Sequence, residues 1–309
     1  MRSSRGSIRA ATTVPAIGPR RSSSRCADVA AVTLPAASAA AGARLHVTDW
    51  PPAAPPKAVV LLAHGYAEHA GRYEHVARRL NAAGYAVHAV DHWGHGRSDG
   101  EGGFVPRFSA YLDGMTELLA RVEEEHPGVP RLLLGHSMGG LIATLFLIGR
   151  QDAFAAAALS GPAIMPAAPP SRVTVALSRF LSRFFPRLGV LALDTNGVSR
   201  DPAVVAAYLA DPLVYTGKIG ARLGKELMDA MAAAQAGAAR ITLPILFQHG
   251  AADSLAAPDG SRYLFDHVSS ADKLLKIYPG LFHEIYNEPE RDAVLDELIG
   301  WFDAHVGAR

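Results

Sequence analysis

The chain has 309 residues, about half of them apolar and about a fifth charged, with a formal net charge of +1. Those values fit a globular enzyme and give no charge-based case for nucleic-acid binding. The single cysteine, Cys26, excludes an internal disulfide and a cysteine-rich metal site.

Residues 1–27 hold six arginines and no acid, which leaves the remainder at about −5. This Arg-, Ser- and Ala-rich stretch lacks the apolar centre of a secretory signal. Residues 1–40 are therefore expected to be a disordered basic extension, with the folded body spanning 41–309. No apolar run reaches the length of a membrane span. Cytoplasmic residence is the default expectation, with peripheral membrane association through the insertion described below.

Arg44–Trp50 alternates as a strand does, and the Pro-rich 51–56 turns the chain. Ala58–Ala63 is almost wholly apolar, as expected of a strand covered on both faces. Then follow a helix over Tyr73–Ala83, a strand over Tyr85–Val90 and a helix over Phe108–Glu125. Next come a strand at Arg131–Leu134, an apolar helix at Met138–Ile148 and a strand at Ala153–Ser160. This order predicts an open α/β sheet. The rhythm breaks over 162–230, which reads as a helical insertion without clear strands. It resumes with Ile241–Gln248 (strand), Ser261–Val268 (helix), Lys273–Tyr278 (strand) and Arg291–His305 (helix).

Gly135-His-Ser137-Met-Gly139 falls between a predicted strand and a predicted helix. A Gly-x-Ser-x-Gly turn at that junction projects a serine hydroxyl above the sheet and offers helix N-terminal N–H groups to an oxyanion. Ser137 is the candidate nucleophile. Asp253 and His283 each follow a predicted strand, and the chain order Ser, Asp, His suits an orienting acid and a base. Asp259, Asp266 and Glu284 are weaker candidates for the acid, because they lie in or near helical segments. The expected oxyanion donors are the backbone N–H groups of Tyr66 and Met138. His64, His69, His92, His95 and His136 sit beside glycines without matching Asp, Glu or Cys partners. They read as hydrogen-bonded loop residues rather than metal ligands, and no metal or other cofactor is expected.

These residues resemble the monoglyceride lipase and lysophospholipase family, the serine aminopeptidase-like branch of the α/β-hydrolases. The resemblance rests on His64-Gly-Tyr-Ala-Glu-His69, Tyr73, Asp91–Gly100, Gly135–Gly140, Asp211–Tyr215, His249–Asp253 and Tyr278–Glu288, and covers roughly 41–305. It implies an α/β-hydrolase fold, with a mostly parallel central sheet flanked by helices and a helical cap at about 162–230. It also implies cofactor-free cleavage of a monoacylglycerol to glycerol and a fatty acid, with Ser137 as nucleophile, Asp253 as acid and His283 as base. Lysophospholipase, broad carboxylesterase and proline iminopeptidase-like activities remain open, as does a non-enzymatic binding protein on the same fold. Oligomeric state is not predicted.

The insertion carries its own signal. No acid occurs between Asp152 and Asp194. Leu177, Phe180, Leu181, Phe184 and Leu188 recur at helical spacing, with Arg179, Arg183 and Arg187 as a stripe beside them. Such a helix suits an acyl-lining or lipid-facing role, with transient membrane contact, or ordinary core packing.

Overall fold

In this computed structural model the structure describes residues 32–35, 43–166 and 171–307. Eight strands form one sheet, taken here in chain order. They are β1 (Val32–Pro35), β2 (Arg44–Trp50), β3 (Ala58–Ala63), β4 (Tyr85–Val90), β5 (Arg131–His136) and β6 (Ala156–Ser160), then, after a two-stranded ribbon, β9 (Ile245–Gly250) and β10 (Lys273–Tyr278). The spatial order is β1-β2-β4-β3-β5-β6-β9-β10. Pairing is antiparallel from β1 through β2 to β4 and parallel from β4 to β10.

The central strands are continuous apolar runs because both of their faces are covered. In β3, Val59, Leu61 and Ala63 enter one core while Ala58, Val60 and Leu62 enter the other. Helices α2 (Ser109–Glu125) and α3 (Met138–Arg150) contribute to the first core. Helices α1 (Glu74–Ala82) and α8 (Arg291–Val306) contribute to the second. This is the α/β-hydrolase architecture.

Four boundaries differ from the sequence expectation by three residues or more, each for a physical reason. The sheet starts at Val32, ahead of the expected limit near 41, because a short edge strand pairs with β2. Residues 1–31 lie outside the described residues. The strand expected over Ile241–Gln248 starts at Ile245, after Pro244, which has no N–H to give a ladder. Residues 151–153 form a 3₁₀ turn, so β6 begins at Ala156. Helix α7 (Pro258–His267) starts three residues early, with Pro258 in its first turn.

The stretch expected as the insertion holds α4 (Arg172–Phe184), α5 (Pro202–Ala210) and most of α6 (Ala221–Gly237). It also contains strands, contrary to expectation. β7 (Gly189–Leu191) and β8 (Ile219–Gly220) pair antiparallel in the separate ribbon. Helix α4 stops before Pro186, so Arg187 and Leu188 leave the predicted helical stripe. Arg187 pairs instead with Glu101 at 2.6 Å. Among the described residues, no helix is long and apolar enough to cross a membrane.

Candidate active site

Ser137 links β5 to α3 with φ 54° and ψ −119°, a left-handed conformation that costs a residue bearing a Cβ. The turn is tight enough to demand glycine next to it. A Cβ on Gly139 would meet the Ala63 carbonyl oxygen at 2.0 Å. The first turn of α3 therefore lies directly against the end of β3.

His283 Nε2 lies 2.8 Å from Ser137 Oγ, and His283 Nδ1 lies 2.6 Å from Asp253 Oδ2. A carboxylate only accepts, so Nδ1 carries the proton and Nε2 is free to accept from the serine hydroxyl. Asp253 is fixed on its other side. Its Oδ1 accepts from the backbone N–H groups of Leu255 and Ala256, at 2.8 and 3.0 Å. His249 Nε2 donates to Oδ2 at 2.9 Å and is in turn held by Ser261 Oγ.

Burial disfavours the Asp253 anion, but the charge of His283 and the two imidazole hydrogen bonds outweigh it and hold the carboxyl well below the usual range. Burial likewise disfavours protonated His283. The opposing Asp253 charge and hydrogen bond win, and raise the imidazole above its ordinary 6.5. The other acids stand elsewhere. Asp259 and Asp266 are exposed, and Glu284 is engaged by Arg72 through two contacts at 2.7 and 2.8 Å.

Met138 is the first residue of α3, where N–H groups have no intrahelical acceptor. Tyr66 follows Gly65, whose backbone runs beside the serine: a Cβ there would lie 3.2 Å from Ser137 Cβ. Tyr66, Met138, Ser137 and His283 share the wall of one cavity of about 840 Å³. Its remaining wall is largely apolar, including Leu181, Val190, Leu227 and Met231 from the cap.

Sequence reasoning missed the support behind this wall. Buried Glu68 accepts from Gly65 N–H and the Tyr73 hydroxyl, both at 2.6 Å, and pairs with Arg72 at 2.6 Å. Arg72 then bridges to Glu284, next to His283 in the chain. The i,i+4 spacing of Glu68 and Arg72 was a readable signal; the long-range partner was not. Of the five clustered histidines, His64, His69, His95 and His136 use ring nitrogens in hydrogen bonds, whereas both ring nitrogens of buried His92 have no partner among the described residues, and His136 ends β5 rather than lying in a loop. His64 Nδ1 donates to Gly65 O and its Nε2 accepts from His92 N–H. His69 contacts Asp211, His95 contacts Trp93 O, and His136 contacts Ser160.

The family described as serine aminopeptidase, S33, matches residues 54–290. The chain belongs to this family. A monoacylglycerol lipase of Mycolicibacterium smegmatis is 44% identical over 265 residues, covering 86% of this chain and 95% of that protein. The human monoglyceride lipase is 35% identical over 264 residues, covering 84% of this chain and 87% of that protein. The crystal structure of the Paleococcus ferrophilus monoacylglycerol lipase superposes with a TM-score of 0.77 at 32% identity, covering 84% of this chain and 99% of that one. With this family membership and fold, the chain is an ester hydrolase.

Proposed function

We propose that the chain hydrolyses monoacylglycerols to glycerol and a fatty acid through an acyl-enzyme on Ser137. The observation that carries this reading is the continuous Ser137–His283–Asp253 hydrogen-bond relay opening into an apolar cavity. Its volume lies within the range of about 300–1,000 Å³ usual for small-molecule sites. The mostly apolar wall suits an acyl chain, and the relatives' substrates point the same way.

Ser137 Oγ attacks the ester carbonyl carbon as His283 Nε2 takes the hydroxyl proton. The carbonyl electron pair moves to oxygen, which accepts from the N–H groups of Tyr66 and Met138. Collapse of the tetrahedral centre breaks the bond to the glyceryl oxygen, which receives the proton from His283. Water then repeats the sequence and releases the fatty acid. Asp253 stays ionised throughout and keeps the imidazole oriented.

The cap adds a surface to this reading. Leu177, Phe180, Phe184, Phe185, Leu188 and Leu191 are each half exposed or more, in a chain segment free of acids. An apolar patch of that kind beside Arg179 and Arg183 suits transient contact with a lipid surface.

The test is a Ser137→Ala protein of matched circular dichroism. It should lose at least about a thousandfold in kcat on monoacylglycerol and resist labelling by a fluorophosphonate. Retained activity would remove Ser137 from the mechanism. Competition among monoacylglycerols, lysophospholipids and short-chain esters tests the head group; a lysophospholipid turned over faster than any monoacylglycerol would replace the substrate named here.

A further inference from the structure

On the flank of the sheet, away from the cavity wall, two imidazoles face each other. His88 belongs to β4, where it pairs with Asp49 of β2 and Leu61 of β3. His126 follows the last residue of α2. Its φ of −129° and ψ of 61° take it out of the helix and bring its ring round to His88. The two Nε2 atoms are 3.1 Å apart. Among the described residues, His88, Glu125 and His126 form a trio whose ligand atoms all lie within 4.8 Å of one another.

From this arrangement we infer that His88, Glu125 and His126 form a binding site for a divalent transition metal of the zinc class. Three features of chemistry support it. The first is spacing. Zn–N bonds of about 2.0–2.1 Å at a tetrahedral angle separate two nitrogens by about 3.3–3.4 Å. The Nε2 pair needs to open by only a few tenths of an ångström.

The second is orientation. His88 Nδ1 donates to Asp49 Oδ1 at 2.7 Å, so the proton sits on Nδ1 and the Nε2 lone pair points at His126. A carboxylate behind the imidazole is the usual support of a metal-bound histidine, because it fixes the tautomer and raises ligand basicity. Asp49 is itself anchored by Arg121, at 2.6 Å from its Oδ2.

The third is the donor set and its charge. Two imidazoles and one carboxylate suit zinc, while magnesium and calcium prefer oxygen shells. Arg121 also donates to Glu125 Oε1 at 2.7 Å, which leaves the second carboxylate oxygen for the ion. The immediate group of Asp49, Glu125 and Arg121 carries a net charge of −1, so the guanidinium does not reverse the attraction for a cation. Glu125 is exposed and His126 partly so, which leaves room for water to complete the shell of a bound ion. None of these four residues and Asp49 lines the hydrolytic cavity. The ion would clamp the end of α2 to the sheet without entering the ester chemistry.

The test uses the untagged full-length chain, stripped with a chelator, desalted and titrated with ZnCl₂ in a calorimeter, with MgCl₂ as control. One equivalent of Zn²⁺ should bind with micromolar or tighter affinity, and Mg²⁺ should not. The thermal unfolding midpoint should rise with Zn²⁺. His126→Ala should weaken Zn²⁺ binding by about tenfold or more, abolish the thermal shift and leave turnover of a soluble ester within twofold. Visible absorption of bound Co²⁺ provides a second reading that should vanish in the same variant. Equal Zn²⁺ affinity in the parent and in His126→Ala would overturn the site, as would no binding up to millimolar Zn²⁺.

Discussion

Asp253 is shared. One carboxylate oxygen accepts from both His283 and His249, while the other accepts from two backbone N–H groups. The consequence for His283 has a definite sign. In the proposed mechanism neutral His283 is the base, so kcat/KM should rise as pH climbs through its pKa, which lies above the ordinary 6.5. Asp253→Asn removes the charge that does most to raise it against burial. The acid limb should then move to lower pH, and kcat should fall by about 10⁴-fold, as when the acid of a serine-protease triad is amidated. A pH series on a soluble ester reads both; an unmoved midpoint would show that Asp253 does not set the His283 pKa. At this scale the sequence was partly legible. Ser137, Asp253 and His283 were singled out because each sits at a predicted strand end, and the structure brings the three side chains into hydrogen-bond contact. His249 was not assigned a role, because a histidine near a strand end looks the same in sequence whether it holds a carboxylate or a carbonyl. The trio of His88, Glu125 and His126 was equally hidden, since its members meet only when β4 lies beside the end of α2.

Elements were legible where burial dictates pattern. The apolar runs of β3, β4 and β5 are read as central strands because each is only six residues long, is buried along all or nearly all of its length and is flanked by glycine or proline. The cap was less legible. Strands of two and three residues, such as β8 and β7, carry too short a period to detect. Helix α4 was found by its periodicity, but periodicity does not say what covers the apolar face. The structure leaves Phe180 and Phe184 outward, with ring centroids 5.0 Å apart, while Leu181 turns toward the cavity. This division predicts a separable phenotype. Phe180→Ser combined with Phe184→Ser should lower the rate on vesicle-borne substrate by roughly tenfold or more, from the apolar area no longer placed in lipid. Turnover of a water-soluble short-chain ester should stay within twofold. Equal losses on both substrates would mean that the rings support the cavity rather than meet the surface.

Across the whole molecule, the sheet holds two cores apart and gathers strand ends at one edge. β3, β5, β9 and β10 run parallel, so the loops after them carry Tyr66, Ser137, Asp253 and His283 to the same side. This convergence was legible from element order alone, since parallel strands put all their C-terminal ends at one edge. The backbone at Ser137 shows what the molecule gives up for it. A residue with a Cβ held at φ 54° costs on the order of 1–3 kcal/mol, and glycine there would cost far less. Ser137→Gly should therefore be inert as a hydrolase yet unfold at higher urea than Ser137→Ala, which keeps the Cβ and loses the same hydroxyl. The reverse order would mean that the turn is unstrained. Thermodynamic robustness alone would favour glycine at this position; under the proposed mechanism the serine there exchanges durability, at a single residue, for reactivity.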